Sequence, residues 1–570
     1  MKGVSHINCV ICGLIISSQT LFAFNPQALI HPVMGDKGMV ATQDLYATQI
    51  GVDILNKGGN AIDAAVAIGY AMAVTHPQAG NLGGGGFMLI YSAKHNQTYA
   101  LDYREKAPLA AHKDMYLDAN GNANAQLSRF SALSVGVPGT VAGLEAAHSR
   151  FGQLNRRTLI NPAIKLAKKG FVVQHGLVSA LKQAQSYLTP HQATKATFYK
   201  GDDYFEVNDI LKQPQLAQTL TQIKHKGSAG FYKGKLAQDF VDYLSQQGGI
   251  ITLADLAAYQ PVWRTPITGT YKGYQIASMP PPSSGGIALI QTLNILQALP
   301  LAQTKHNSAD YIHYITEALK YTYKDRATYL GDTDFVSVPI KQLTSIDYAN
   351  QCASTITLNA ILDVNQLSTS NITMSQSNDT THFVVADQYG NVVSNTYTLN
   401  FSFGNGMTVP KLGILLNNEM DDFSAKPGVP NAYGLIGNDK NSIAPQKRML
   451  SSMTPSLVFK DNKPYIVTGS PGGSRIITTT LQVILNVIEH NMNIAQAVGA
   501  PRFHHQWKPD VIRIEQGFSN DTLNLLHQRG YKTVLKSSMG SAQSILVTPS
   551  YFYGTADTRK PDALAQGAWH

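Results

Sequence analysis

Two short runs in the second half of the chain decide the fold: residues 380–387 read Thr-Thr-His-Phe-Val-Val-Ala-Asp, and residues 391–399 read Asn-Val-Val-Ser-Asn-Thr-Tyr-Thr-Leu. Both runs are rich in β-branched residues, and Gln388-Tyr389-Gly390 lies between them, so they predict a β-hairpin. If the turn is centred on Tyr389, the numbers of paired residues sum to 778, and Thr380 faces Thr398. Residues that face each other across a hairpin lie about 5 Å apart, so these two hydroxyls could share a hydrogen bond. An ordinary Thr-rich strand pair explains the same letters, and the pattern alone leaves a catalytic role open.

A second hairpin follows downstream, with strands at 455–459 and 465–468 around a turn at 461–463. It leads into Gly469-Ser470-Pro471-Gly472-Gly473-Ser474 and then into a helix with apolar residues at 477, 481, 484 and 488. Glycines at a strand-to-helix junction leave backbone N–H groups unobstructed near the positive end of the helix dipole. Such a junction suits an oxyanion hole, although a tight turn that needs glycine explains it equally well.

The rest of the chain alternates helical and strand patterns, which favours α/β layering, and no fixed-period repeat is present. Helical spacing predicts helices over 47–55 and 61–74, and four glycines at 83–86 run directly into an apolar strand at 87–91. No GKS or GKT follows these glycines, which argues against a phosphate-binding loop. Residues 358–379 are rich in Ser, Thr, Asn and Gln, a composition typical of an exposed, cleavable segment.

Composition excludes several classes of protein. The 570 residues include 45 Lys and Arg against 36 Asp and Glu, a formal net charge of +9, with 44% hydrophobic residues. That balance is globular, not disordered. The basic residues are dispersed and no nucleic-acid-binding motif is present, so we expect no nucleic-acid partner. Neighbouring histidines at 504 and 505 cannot both face one metal from adjacent strand positions, and HExxH is absent, so we expect no metal site. The absence of GxSxG argues against a serine-hydrolase elbow.

The N-terminus resembles a secretory signal peptide: Lys2 precedes a mostly apolar run that ends near Ala23. We therefore expect residues 1–23 to be removed on export, to a periplasmic or secreted location. No second apolar run is long enough to span a bilayer, so no membrane insertion is expected after export. Cys9 and Cys12 would leave with the signal, and Cys352 would then have no intramolecular disulfide partner.

Ordered blocks along nearly the whole chain carry a resemblance to a known family. They lie at 76–87 (HPQAGNLGGGGF), 103–105 (YRE), 137–139 (VPG), 280–286, 380–382 (TTH), 417–423 (NNEMDDF), 450–453 (LSSM) and 469–475. With these blocks the chain resembles the bacterial γ-glutamyltranspeptidases, which are N-terminal-nucleophile hydrolases. The resemblance implies an αββα sandwich and no cofactor.

The resemblance also implies an inactive precursor that cuts itself between Asp379 and Thr380. A large chain, 24–379, and a small chain, 380–570, would remain together as a heterodimer in one αββα catalytic unit. Processing makes chemical sense here: an internal Thr hydroxyl is a poor nucleophile, whereas an N-terminal Thr has its own α-amine as base, with a pKa of about 7.7–8.0.

Site residues follow from the resemblance, position by position. Thr380 matches the nucleophile, Thr398 its hydroxyl partner, and Gly472 and Gly473 the oxyanion hole. The groups for the α-carboxylate of the substrate are Arg104, Ser451 and Ser452; those for the α-amino group are Asn400, Glu419 and Asp422. A guanidinium suits a carboxylate and two acids suit an ammonium. Residues 427–440, with Tyr433, correspond to a lid over the pocket, and their Gly and Pro content fits a mobile loop.

The implied function is transfer of the γ-glutamyl group of glutathione and related amides, through a Thr380 ester, to water or to amino acids and dipeptides. Three alternatives stay open. A cephalosporin or glutaryl acylase would keep Arg104 but need no ammonium-binding acids. A glutaminase-like hydrolase would differ only in acceptor preference, and a non-catalytic binding protein would not cleave itself.

Overall fold

The computed structural model describes residues 28–367 and 380–570. The predicted signal peptide and Asp379 lie outside the described residues. The strands are β1 Val33–Gly35, β2 Gly38–Thr42, β3 Gly85–Ser92, β4 Gln97–Asp102, β5 Phe171–Val172, β6 Tyr199–Lys200, β7 Asp203–Tyr204, β8 Ile210–Leu211, β9 Val262–Arg264, β10 Ile267–Tyr271, β11 Tyr274–Ser278, β12 Thr381–Asp387, β13 Val392–Thr398, β14 Thr408–Val409, β15 Ile414–Leu415, β16 Ser456–Lys460, β17 Lys463–Gly469, β18 Phe503–His504, β19 Ile512–Ile514, β20 Thr533–Leu535, β21 Gln543–Val547, β22 Phe552–Thr555 and β23 Leu564–Ala568.

The α-helices are α1 Leu45–Asn56, α2 Ala61–Thr75, α3 Ala125–Phe130, α4 Thr140–Phe151, α5 Arg156–Lys169, α6 His175–Leu188, α7 Gln192–Phe198, α8 Pro214–Lys226, α9 Ala229–Tyr232, α10 Gly234–Gln246, α11 Leu253–Ala258, α12 Gly285–Gln297, α13 Ala309–Tyr329, α14 Ile340–Leu343, α15 Ile346–Ser354, α16 Ile476–Ile488, α17 Ile494–Gly499 and α18 Asn520–Gln528. Short 3₁₀ helices at Glu419–Asp422 and Gly473–Arg475 flank the pocket described below. The helices predicted over 47–55 and 61–74 are α1 and α2, so both predictions are confirmed.

Two seven-stranded sheets form the centre of the molecule. One has the order β23-β2-β12-β13-β3-β4-β9 and the other β1-β22-β21-β17-β16-β11-β10. Each sheet takes strands from both sides of the Asp379–Thr380 bond: β2 and β3 flank the β12–β13 pair, and β11 pairs with β16. The two segments could not separate without dismantling both sheets.

The central hairpin has the register that the sequence predicts. Thr381 pairs with Tyr397 and His382 with Thr396, so paired numbers sum to 778. Alternate side chains of β12 enter different cores: Phe383 and Val385 pack towards α1 and α2, whereas Val384 and Ala386 pack against the second sheet. Because successive strand residues point to opposite faces, an apolar run of this kind requires cover on both sides.

Helices supply that cover on the two outer faces. α1, α2 and α4 pack on the sheet that contains β12, and α12, α16 and α17 pack on the other. The order of layers is helix, sheet, sheet, helix, which confirms the predicted αββα architecture. Within the described residues no helix is long and apolar enough to cross a membrane, and Cys352 is a buried free thiol.

Candidate active site

Thr380 lies immediately before β12, at the end of the hairpin where its partner strand also ends. It is 7% exposed, and its Oγ1 donates a long hydrogen bond of 3.4 Å to Thr398 Oγ1. The backbone N–H of Asn400 also donates to Thr398 Oγ1, at 2.9 Å, which fixes that hydroxyl in place. The structure therefore places the two predicted threonines in contact, as the predicted hairpin register requires.

Replacement of Thr398 tests whether this contact serves the predicted nucleophile. Thr398→Ala removes a fixed hydroxyl beside Thr380, and we expect kcat to fall at least tenfold, which corresponds to about 1.4 kcal/mol. Thr398→Ser keeps the hydroxyl and should retain much of the activity and processing. Steady-state kinetics on a γ-glutamyl anilide measures both variants. Peptide mapping with a covalent γ-glutamyl analogue should find the label on Thr380 in each, and a label on Thr398 would contradict the assignment.

The predicted oxyanion-hole glycines lie between β17 and α16. Both have positive φ, 133° at Gly472 and 58° at Gly473. Gly473 belongs to the wall of the cavity that contains Thr380, whereas Gly472 does not contribute to that wall. A Cβ at Gly473 would lie 2.3 Å from Cδ1 of Tyr433, so this position has no room for a side chain. Gly473 thus serves the close packing of Tyr433 as well as the turn, and the oxyanion role of the two N–H groups stays a prediction.

The cavity encloses about 320 Å³ of space between protein atoms, part of which is open to solvent. Its wall includes ten of the eleven predicted site residues: Thr380, Thr398, Gly473, Arg104, Asn400, Glu419, Asp422, Tyr433, Ser451 and Ser452. Four more residues complete it, namely Arg326, Leu435, Met453 and Ile476. These four were not predicted from the sequence.

One wall of the cavity is a buried cluster of opposite charges. Arg104 donates from Nη1 to Glu419 Oε1 and, at 2.6 Å, from Nη2 to Asp422 Oδ2. The arginine is held in this orientation by a bond of 3.3 Å from Nε to the carbonyl of Met449. Burial acts to lower the pKa of Arg104, but the two carboxylates outweigh it, so the guanidinium stays charged. The sequence predicts separate roles for these groups and does not show that they contact one another.

Glu105 adds a third carboxyl group behind this cluster. It is fully buried, and no donor among the described residues has good hydrogen-bonding geometry to either of its carboxyl oxygens. Burial raises the pKa of Glu105 to about 8, although the nearby positive charge of Arg104 opposes the shift. A carboxyl group whose pKa lies above the ambient pH carries its proton. Glu105 is therefore a neutral acid near pH 7.

This protonation predicts a pH effect on stability. The ordinary pKa of a Glu is 4.5, and in the folded protein that of Glu105 is about 8, so between these values the folded state holds a proton that the unfolded state lacks. Glu105 then makes wild-type stability fall as the pH rises through this window. Glu105→Gln mimics the neutral acid and cannot titrate. We expect the melting temperature of the variant, relative to wild type, to increase from about pH 5 to about pH 8 in calorimetry. A constant difference would show that Glu105 is not protonated.

The predicted carboxylate-binding serines form another part of the wall. Ser451 Oγ accepts a hydrogen bond of 3.0 Å from the N–H of Met453, and Ser452 Oγ accepts one of 3.2 Å from Arg326 Nη2. A backbone N–H and a guanidinium can only donate, so neither bond uses the hydroxyl proton of its serine. Both hydroxyls therefore have a proton to offer to an anionic ligand.

Tyr433 covers the cavity from the segment predicted to be a lid. Its hydroxyl donates to Asn400, at 2.9 Å from the backbone oxygen and 2.7 Å from Oδ1. The preceding turn also contacts the acids, because Asn431 Nδ2 donates to Asp422 Oδ1 at 3.2 Å. Gln506 donates to the carbonyls of Tyr433 and Gly434 and anchors the segment on its outer side. The segment predicted to be a lid therefore packs against residues of the pocket wall.

The neighbouring histidines His504 and His505, for which the sequence predicts no metal site, do not line this cavity. His504 contacts Thr478 and Gln506, whereas His505 contacts Asp510, so the two rings point to different partners. Within 28–367 and 380–570 no group of three His, Cys, Asp or Glu residues is arranged to hold a metal.

An αββα sandwich with a buried threonine at the head of a central strand defines the class of N-terminal-nucleophile hydrolases. The profile of one family in that class, described as "Gamma-glutamyltranspeptidase", matches residues 47–567, and the chain belongs to this family. The glutathione hydrolase proenzyme of Escherichia coli K12 is 51% identical over 541 residues, which are 95% of this chain and 93% of that protein.

Two solved structures are similar to this chain in fold. A cephalosporin acylase from Bacillus halodurans is 26% identical, with a TM-score of 0.82 over 95% of this chain and 99% of its own. The γ-glutamyltranspeptidase of Helicobacter pylori is 44% identical, with a TM-score of 0.56 over 56% of this chain and 92% of that chain.

Proposed function

We propose that this protein is a self-processing γ-glutamyltransferase that hydrolyses glutathione and passes γ-glutamyl groups to water, amino acids or dipeptides. One observation carries the proposal: Thr380 and the cluster of Arg104, Glu419 and Asp422 line the same cavity. A γ-glutamyl group has an amino acid head at one end and the reacting carbonyl at the other. The charged cluster suits that head, and the hydroxyl suits the carbonyl.

Maturation precedes catalysis in this proposal. The Thr380 hydroxyl attacks the carbonyl carbon of Asp379, the peptide C–N bond breaks, and water hydrolyses the resulting ester. The products are a large chain that ends at Asp379 and a small chain that begins with a free α-amine. The two chains would stay together as a heterodimer, since strands from both make up each central sheet. Export fits the predicted signal peptide, with a periplasmic or secreted location.

Catalysis then uses the groups created by processing. The α-amine of Thr380 accepts the hydroxyl proton as the oxygen attacks the γ-carbonyl carbon, and Thr398 orients that oxygen. Negative charge develops on the carbonyl oxygen, where the N–H groups of Gly472 and Gly473 would stabilise it. Collapse expels the amine, which takes the proton, and leaves a γ-glutamyl ester on Thr380. Water or an acceptor amine attacks this ester in the second half-reaction and restores the hydroxyl.

The cavity chemistry also separates this function from the acylase alternative. A glutaryl or cephalosporin side chain offers a carboxylate without a neighbouring ammonium group. Arg104 compensates Glu419 and Asp422 in the structure. If Arg104 turns to the carboxylate of such a ligand, the two buried acids lose that compensation and the ligand offers no cation in its place. A γ-glutamyl substrate supplies both charges, and we therefore favour it.

The decisive experiment is product identification by mass. The purified, processed protein is incubated with glutathione, with and without glycylglycine. We expect glutamate and cysteinylglycine in the first mixture and an additional γ-glutamyl-glycylglycine in the second. Cleavage of a glutaryl cephalosporin without cleavage of glutathione would establish the acylase alternative, and a protein that neither cuts itself nor turns over either substrate would be a binding protein.

A further inference from the structure

Arg326 is a buried cation of the pocket wall that no sequence motif indicates. It lies near the end of α13, is 5% exposed, and contributes to the main cavity together with Arg104 and Thr380. It also lines a second cavity of about 240 Å³, whose wall includes Asp422 as well. Both of its hydrogen bonds go to hydroxyl groups, and no carboxylate of the described residues forms an ion pair with it.

The two hydroxyl contacts connect Arg326 to the serine wall. Nε donates to Ser284 Oγ at 2.9 Å, and Nη2 donates to Ser452 Oγ at 3.2 Å. Ser284 is itself anchored, since its Oγ and its backbone N–H both donate to the carbonyl of Ser451, at 2.7 and 2.8 Å. Arg326 therefore joins α13, the start of α12 and the 451–452 segment at one point.

Arg326 is the donor and Ser452 the acceptor in the hydrogen bond between them. Because a guanidinium has five donors and no acceptor, its bond to Ser452 occupies a lone pair of the hydroxyl oxygen. The Ser452 hydroxyl cannot donate its own proton to Arg326, so that proton remains available to another acceptor. The cavity lining thus includes donors and positive charge from Ser451, Ser452 and Arg326, and acceptor groups from Glu419 and Asp422.

The positive charge of Arg326 would be stabilised by an anion bound in the cavity. Burial lowers its pKa to about 10, with Arg104 adding repulsion and Asp422 opposing it, so it remains a cation at neutral pH. A buried cation without an ion pair is costly unless a bound group compensates it. A ligand carboxylate at Ser452 would lie on the side of the cavity where that charge stands.

We propose that Arg326 is a positioning residue for the α-carboxylate of the γ-glutamyl donor and acts by holding the Ser452 hydroxyl with its proton directed into the pocket. This inference rests on the proposed function, because it assigns the serine wall to the carboxylate of the same amino acid head. It adds to Arg104 a second arginine that sets donor specificity without touching the reacting atoms.

A double-mutant cycle with γ-glutamyl-p-nitroanilide tests the proposal. We expect Arg326→Gln to lower kcat/KM at least tenfold while kcat stays within about threefold of wild type and processing stays complete. In a Ser452→Ala background the same change should cost less than about threefold, because the hydroxyl that Arg326 holds is gone. Lys324→Gln, on the same helix but outside the cavity wall, is the matched control and should leave kcat/KM unchanged.

Several outcomes would overturn the proposal. Equal losses from Arg326→Gln in both backgrounds would show that Arg326 does not act through Ser452. A fall in kcat or in processing with KM unchanged would show a structural role. If Arg326→Gln does not fold, Arg326→Lys, which keeps the charge but cannot reach both hydroxyls, is put through the same cycle. A wild-type protein that is inactive on the anilide would instead refute the proposed function, so the two failures are distinguishable.

Discussion

Thr380→Ala is expected to remain a single uncut chain with no γ-glutamyl transfer. The variant lacks the hydroxyl that must attack the carbonyl of Asp379, so neither the cut nor the N-terminal amine can form. At a mean of about 108 Da per residue, residues 24–379 and 380–570 of the wild type should run as chains of about 38 and 21 kDa. The variant should show one band near 59 kDa on a denaturing gel.

Sequencing gives this prediction its control. The small wild-type chain should begin Thr-Thr-His, which identifies the bond that is cut. Thr381→Ala is a matched variant one residue further on: it removes the neighbouring hydroxyl, which has no hydrogen-bond partner among the described residues, and should still be processed. Normal cutting of Thr380→Ala, or a different first residue in the small chain, would refute the assignment of Thr380.

The central hairpin and the first two helices can be predicted from the sequence, because each depends on residues close together in the chain. The hairpin register follows from strand periodicity and the position of one turn, and it places Thr380 beside Thr398 as observed. Apolar residues at helical spacing likewise predict α1 and α2. The order of strands in the two sheets does not follow from such rules, since β12 pairs with β2, which lies more than 300 residues earlier in the chain.

The charged part of the site shows where prediction from the sequence ends. Family blocks indicate Arg104, Glu419 and Asp422 one by one, but the contacts among them depend on segments 315 and 318 residues apart. The neutral state of Glu105 arises from burial, which no single motif encodes. Arg326 follows Lys324 and Asp325 in a helix, outside every family block, and only packing shows that it lines the cavity.

Asp422→Asn should lower kcat/KM for γ-glutamyl anilides by about 30- to 4,000-fold while self-processing continues. The Asp422 side chain is 12% exposed and contacts Arg104 at 2.6 Å, so its carboxylate works in a largely dry site. Removing one member of a desolvated charge pair costs about 2–5 kcal/mol, which corresponds to that range. Asparagine keeps the size and one oxygen, so the loss measures charge and not volume.

Comparison of two substrates decides which charge Asp422 serves. A glutaryl anilide has the carboxylate but no ammonium group, so if Asp422 pairs with the ammonium, Asp422→Asn should change its kcat/KM by less than about threefold. Asp439→Asn makes the same exchange at an exposed lid residue that pairs with Lys113, and it should leave both substrates unaffected. Equal losses on both anilides would mean that Asp422 acts by holding Arg104 instead. Glu419 and Asp422 would then be no evidence for a γ-glutamyl substrate over a glutaryl one. The acylase function would again be as well supported as the γ-glutamyltransferase function by this site.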